Sequence, residues 1–311
     1  MPYRIDSMQP DQWTRVATLV HDSTNAWYQQ RGFPPIFGDG PASTRLFCEV
    51  YEALDPGCCL VAQREDGVVA GSCFYHPRPT HVSLGIMNVD PQFFGQGVAT
   101  LLLRAVLHES ERLGRPTRLV SSALNLDSFS LYNRLGFVPH TVFQDMLLTV
   151  PAGGMGALAE QPLYGDQVRP AERRDVPALV ALEEAHVGIS RQQDFEFFIE
   201  NRQQIWKLVV LEAAGSHEIV GFMNAVRHPA SSMVGPGFAR NEAEAIALLY
   251  AAFDHHAGNP AVALVPSQAQ QVTQAMYGWG ARNCEVHLGQ IHGPLPACRG
   301  WSFPTFMPET A

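Results

Sequence analysis

No apolar run in these 311 residues reaches the length of a membrane-spanning helix, which takes about 20 residues. Positive charge is scarce: 21 Lys and Arg stand against 30 Asp and Glu, a formal net charge of −9. Binding to nucleic acid calls for a basic face, so neither a nucleic acid nor a membrane is an expected partner. Cysteine is sparse too. Cys48, Cys58, Cys59, Cys73, Cys284 and Cys298 include no C-x-x-C pair. That excludes the common zinc spacings and a disulfide framework, and predicts a cytoplasmic protein. The opening Met-Pro-Tyr-Arg-Ile-Asp lacks the layout of a secretory leader. What is present suits a core: 46% hydrophobic and 16% charged residues, in a length fit for about two domains.

The run Val89-Asp90-Pro91-Gln92-Phe93-Phe94-Gly95-Gln96-Gly97-Val98-Ala99-Thr100 reads as a strand end, a glycine-bearing loop and a helix start. The first amides of a helix have no intrahelical acceptor, and the dipole adds positive character there. A phosphate can be held by those amides. Gly95 and Gly97 allow its close approach, because no Cβ intervenes. A Walker loop would need Lys and then Ser or Thr after its last glycine, where this chain has Val98 and Ala99. A dinucleotide fingerprint needs a third glycine. A cradle for the pyrophosphate of coenzyme A remains.

Downstream, Val98 to Leu113 has helical periodicity, with Leu101, Leu102, Val106 and Leu113 on one face and Gly114 and Pro116 as the stop. Thr117–Val120 reads as a strand. Asp127 is a candidate N-cap for a short helix ending at Gly136, and Phe137 opens another strand. The chain thus resembles the GNAT-superfamily N-acetyltransferases, whose motifs are V-x-P, [RQ]-x-x-G-x-[GA] and N-x-x-[SA]-x-x-L-Y-x-x-x-G-F. Val89 and Pro91 lead in, Gly97 and Ala99 take the small positions, and Asn125, Ser128, Leu131, Tyr132, Gly136 and Phe137 match the second motif. The Arg or Gln position holds Phe94.

The resemblance implies direct transfer of an acetyl group from acetyl-CoA to the primary amine of a small molecule or peptide. Met87, Asn88 and Val89 would flank the thioester. Phe94, Gly95, Gln96, Gly97, Val98, Ala99 and Thr100 would hold the pyrophosphate. Asn125 and Ser128 would meet the pantetheine arm. Tyr132 would protonate the leaving thiolate. Trp27, Tyr28 and Phe33 belong to the region that shapes an acceptor pocket, and no metal is implied. The strand His81–Val89 carries no carboxylate, so His76 and His81 are the candidate bases, although each reads more readily as a loop histidine without a role. Phe94 and the missing carboxylate also admit an alternative, a non-catalytic module that binds acyl-CoA.

Element order repeats. The first half reads as strand 3–7, helix 10–21, helix 44–54 and strands 59–63, 68–74 and 81–89. The glycine-bearing loop, the long helix, a strand, the short helix and a strand over 137–148 complete it. Residues 149–164 have linker composition, with Pro-Ala-Gly-Gly-Met-Gly near their start. From Val168 the order begins again: strands 208–211 and 218–222, helix 241–256, strand 262–265, helix 267–277 and strand 285–288. Internal similarity at a period near 150 is expected. The expected fold is α/β: two tandem GNAT-like domains, each a twisted, mixed, largely antiparallel sheet flanked by helices. Residues 1–148 form the catalytic domain and 165–311 a degenerate copy. Where a second cradle would lie, Gly237 to Ala245 brings Glu242 and Glu244 to the helix start, favourable to the dipole and hostile to a pyrophosphate. His255-His256 at that helix's end reads as a dipole partner. The tail 301–308 is expected to pack as an extended segment. A monomer or a homodimer is expected.

Overall fold

A computed structural model describes residues 3–38 and 40–307, with the backbone of 309 and 310. Two compact units divide the chain: Met1–Pro77, His81–Thr117 and Met307–Glu309 in one, Arg78–Thr80, Arg118–Phe306 and Thr310–Ala311 in the other.

In the first unit β1 (Tyr3–Ser7), β2 (Cys59–Arg64), β3 (Val69–Pro77) and β4 (Val82–Val89) form an antiparallel ladder in that order. Helix α1 (Trp13–Gln30) and helix α2 (Arg45–Leu54) pack together, and α3 (Val98–Leu113) packs on β3 and β4. Helix α1 runs on past the expected end at His21. No Gly or Pro interrupts it before Gly32, and it therefore carries Trp27 and Tyr28. The buried stripe of α3 is Val98, Leu102, Leu103, Val106 and Leu107. Leu101 and Leu113 are only half-buried, so the stripe is rotated from the expected one. Gly114 ends the helix at φ 66°, a region glycine enters without penalty. Gly71 on β3 is needed for close approach: a Cβ there would lie 2.8 Å from Val98 Cγ1 and 2.9 Å from the Asn88 carbonyl oxygen.

The second unit begins in β5 (Thr117–Ser122). It continues with α4 (Leu126–Arg134), β6 (Val138–Thr149), β7 (Val168–Pro170), α5 (Val176–Val187), α6 (Gln192–Glu200), β8 (Trp206–Glu212), β9 (Ile219–His228) and β10 (Ser231–Ala239). Then come α7 (Glu242–Phe253), β11 (Pro260–Pro266), α8 (Gln270–Gly278), β12 (Arg282–His292) and β13 (Trp301–Phe303). Its strand order is β5-β12-β6-β11-β10-β9-β8-β7, with β13 on β10. Strands β10 and β11 form a parallel pair. The sheet is mixed and largely antiparallel and is flanked by helices.

One element here departs from the sequence reading. Gly237 to Ala239, read as a degenerate loop, are the end of β10 and pair with both β9 and β13. Gly235-Pro236-Gly237 coincides with a register shift between Val234 and Gly237, a local bulge inside a buried strand. The tail is extended as expected, with Trp301–Phe303 forming β13; Pro308 lies outside the described residues.

The repeat is regular. Helix α7 starts at Glu242 and α3 at Val98, 144 positions apart (242 − 98). The same offset relates α8 to α4 and β12 to β6 (270 − 126 and 282 − 138). The last strands are nevertheless exchanged. β12, from the second half, lies between β5 and β6 of the first, and β6 lies between β12 and β11.

Candidate active site

In the first unit, β3 and β4 pair as Gly71 with Val89, Ser72 with Asn88 and Cys73 with Met87, and then lose register, resuming at Tyr75 with Leu84. Gly85 and Ile86 therefore oppose Phe74 alone, a bulge that bends β4 just before Met87. The Asn88 side chain donates to Ser23 Oγ at 2.7 Å and Thr24 Oγ1 at 3.2 Å. It ties the strand end to α1.

After Val89 the chain turns sharply. The Asp90 amide donates to the Ala70 carbonyl, the Asp90 side chain accepts from the Gln92 amide at 3.0 Å, and Arg15 binds its carboxylate at 2.6 Å. Residues Pro91–Phe93 make one 3-10 turn, and Phe94 comes next with an exposed ring. Gly95 and Gly97 both take positive φ, 74° and 80°. A Cβ at either would meet no atom within 4 Å, so these glycines serve conformation and leave open space beside the backbone. Gln96 is held from two sides: Tyr3 Oη donates to its Oε1 at 2.8 Å, and its Nε2 donates to the Gln92 carbonyl at 3.1 Å. Gly97 is the N-cap of α3, and the Leu101 amide closes the first helical bond onto its carbonyl. The amides of Val98, Ala99 and Thr100 precede that bond and have no intrahelical acceptor. The loop is a fixed, open row of donors at the positive end of a 16-residue helix.

The corresponding junction in the second half is short and filled. Only Arg240 and Asn241 separate β10 from α7. The Asn241 side chain accepts from the Glu244 amide at 3.0 Å, and Glu244 accepts from the Arg240 amide and guanidinium. Glu242 accepts from the Gln271 and Val272 amides at the start of α8. Asn241 and Glu244 thus take the Glu244 and Arg240 amides at this junction, while Glu242 caps α8.

The second motif lies in the second unit. Asn125, not Asp127, caps α4: its side chain accepts from the Ser128 amide at 3.0 Å. Asp127 instead sits in the first turn, where its charge favours the dipole. Tyr132 is buried two turns along, its ring 5.7 Å from that of Phe137. The loop before the helix is laced to β12. The Ala123 amide donates to the Val286 carbonyl at 2.8 Å, and Ser122 Oγ donates to Glu285 Oε1.

The candidate bases come out differently. His76 is on β3, fully buried, with Nδ1 2.7 Å from Asp55 Oδ2, and His81 is buried as well. His76 is thus a strand residue and not a loop histidine, while His81 stands just before β4. His255 and His256 do not act as a charged pair. Burial pushes His256 down to about 4, and burial also lowers His255, so both are neutral at pH 7. Sequence reasoning missed one constellation. His287 Nδ1 on β12 lies 2.9 Å from Asp145 Oδ1 on β6, and both side chains are buried. Asp145, Glu285 and His287 offer donor atoms within 4.8 Å of one another. Burial raises the Asp145 carboxyl, against the lowering hydrogen bond from His287. The available signal was the alternation Glu285-Val286-His287, which puts two polar groups on one strand face.

Family models match both halves: one described as the acetyltransferase (GNAT) family over residues 21–137, and one as an acetyltransferase (GNAT) domain over 179–285. No curated protein matches the chain. Among solved structures, a candidate acetyltransferase from Pyrococcus horikoshii is similar with a TM-score of 0.72 and 15% identity, over 97% of this chain and 93% of its own. A GCN5-related N-acetyltransferase from Sphaerobacter thermophilus gives 0.63 and 17%, over 95% and 97%. Another from Anabaena variabilis gives 0.55 and 11%, over 93% and 72%. At such identities the likeness is one of fold. With both halves matched by GNAT models, the chain belongs to the GNAT acetyltransferase family.

Proposed function

We propose that this protein is an N-acetyltransferase that moves the acetyl group of acetyl-CoA onto a primary amine, using a cofactor loop in its first half alone. The observation that carries the reading is the contrast between two junctions 144 positions apart (242 − 98). One is an open row of amides around Gly95 and Gly97, and the other is filled by Asn241, Glu242 and Glu244. Gly95 to Thr100 would hold the pyrophosphate, with Phe94 at the rim. Met87 to Val89, just past the β4 bulge, would flank the thioester, and Asn125 and Ser128 the pantetheine arm. Residues 1–148 would be the catalytic domain, 149–164 the linker, and 165–311 a domain without a cofactor.

In the reaction a neutral amine attacks the thioester carbonyl. The C–N bond forms, the C–S bond breaks, a base takes the amine proton, and an acid protonates the thiolate. By resemblance that acid is Tyr132. The acceptor is a small-molecule or peptide amine, met by the aromatic group on and after α1. There Trp27 and Tyr28 stack edge to face at 4.9 Å, Phe33 lies 6.2 Å from Tyr28, and Arg31 covers Trp27 at 4.1 Å. Among the described residues no helix is long and apolar enough to cross a membrane. Cysteine usage favours a cytoplasmic protein, acting as a monomer or homodimer without nucleic acid.

Release of free thiol from acetyl-CoA across a panel of primary amines tests the reading. Tyr132→Phe is expected to lower kcat by roughly ten- to a thousand-fold while leaving acetyl-CoA affinity unchanged. Unchanged turnover would remove Tyr132 from the acid role. Binding without thiol release on any amine would favour the acyl-CoA-binding module, for which Phe94 in the Arg or Gln position is the motive.

A further inference from the structure

The transfer needs a base, and β4 supplies no carboxylate. Asp90, at its end, is engaged by Arg15 and the Gln92 amide, and His76 by Asp55. The second unit holds a better-built candidate. His287 on β12 donates from Nδ1 to Asp145 Oδ1. With that carboxylate as acceptor, the lone pair of the neutral ring lies on Nε2. Among the described residues the polar neighbour of Nε2 is Glu285 Oε1 at 4.0 Å, too far for a hydrogen bond. Phe306 packs its ring 4.7 Å from the imidazole. A histidine oriented by a buried carboxylate, with its other nitrogen open, is the arrangement of a general base.

Three features tie this pair to the reaction. First, its strand reaches the right loop: β12 is hydrogen-bonded to Ser122 at the end of β5 and to Ala123 just after it, and Asn125, two residues on from Ala123, caps the helix that carries Tyr132. Second, only the strand exchange brings it there, since His287 belongs to the second half and Asp145 to the first. Third, strand pairing does not require it. By the 144-residue repeat, the counterpart of His287 is Phe143 (287 − 144) and that of Asp145 is Gly289 (145 + 144). The symmetric position of the same strand pair therefore lacks both groups.

We propose that His287, held by Asp145, is the general base of the acetyl transfer, taking the proton from the attacking amine on Nε2. The proposal rests on the acetyltransferase reading above. It gives the second half a catalytic contribution: a strand that completes the sheet beside β5 and carries the base. In the step the amine nitrogen bonds to the acetyl carbon, its proton passes to His287 Nε2, and the thiolate leaves with a proton from the acid. The imidazolium then returns its proton to water, so the enzyme is regenerated. The charged groups facing His287 are Asp145 on β6 and Glu285 on its own strand, with Ser122 of β5 bound to Glu285.

The test uses the full-length enzyme and the best acceptor from the amine panel. His287→Gln is expected to lose roughly a hundred- to a thousand-fold in kcat/KM and to bind acetyl-CoA as the wild type does by calorimetry. Asp145→Asn keeps an acceptor for Nδ1 but removes the charge that orients and supports the ring. It is expected to lose rate in kcat and not in KM, by less than His287→Gln, and it serves if His287→Gln does not fold. A folded His287→Gln within twofold of wild type, or an Asp145→Asn with wild-type kcat, overturns the proposal while the acetyltransferase reading stands. Loss of activity on chelation with recovery on added zinc would make the Asp145, Glu285 and His287 cluster a metal site, and also overturns it. A wild type inactive on every amine fails the reading itself, and the proposal with it.

Discussion

Gly97→Glu is expected to weaken acetyl-CoA binding by at least about a hundred-fold, to the point of no detectable heat in a titration. Two effects add. Gly97 stands at φ 80° as the N-cap of α3, and a side chain in that left-handed region costs roughly 1–2 kcal/mol. The larger effect is electrostatic. A carboxylate at this helix end competes for the amides of Val98, Ala99 and Thr100 and repels the pyrophosphate from the same place. The second half already places two carboxylates, Glu242 and Glu244, in the first turn of α7. The fold survives the change, because a Cβ at Gly97 meets nothing within 4 Å and a negative charge suits the helix dipole. Gly97→Ala separates the two effects: it carries the strain without the charge and is expected to lose far less affinity. Equal loss in both variants would mean that backbone conformation, not charge, governs the loop.

The largest expected loss of stability is that of Asp194→Ala. Arg78 grips Asp194 with two bonds, Nε to Oδ2 at 2.8 Å and Nη2 to Oδ1 at 2.5 Å, and neither side chain reaches solvent. Removing one partner leaves a charge buried without its counter-ion, which costs about 3–5 kcal/mol. Denaturant unfolding measures it through the midpoint at constant slope. The double change Arg78→Met with Asp194→Ala is expected to recover much of the loss, since both charges of the pair are then gone. The exposed pair Arg202 with Glu200 is the control, worth under about 1 kcal/mol. A loss at Asp194 no larger than at Glu200 would mean that water reaches Arg78 in solution.

The local motifs were legible because each is a short stretch with one physical demand. Gly95 and Gly97 both stand at positive φ, and Asn125 and Ser128 form one cap. The half-by-half order was legible for the same reason, with each strand and helix marked by its own periodicity. What was hidden depends on distant partners. Arg78 and Asp194 lie 116 residues apart, and Asp145 and His287 lie 142 apart. Which of two similar last strands sits beside β5 is decided by pairing across the whole sheet, and both carry acceptable patterns for either place. Local competition explains a smaller miss. Asn125 beat Asp127 to the cap because its position, three residues before Ser128, matches the N3 amide. The end of β10 at Gly237 to Ala239 was hidden because its place as a strand depends on pairing with β9 and β13.

Calorimetric titration of the intact chain with acetyl-CoA, read for stoichiometry, tests most directly whether one half alone carries the cofactor loop. One site per chain, lost in Gly97→Glu, is expected from an open junction at α3 and a filled one at α7. Two sites per chain, or one that survives Gly97→Glu, would contradict it and place a working loop at Glu242 and Glu244.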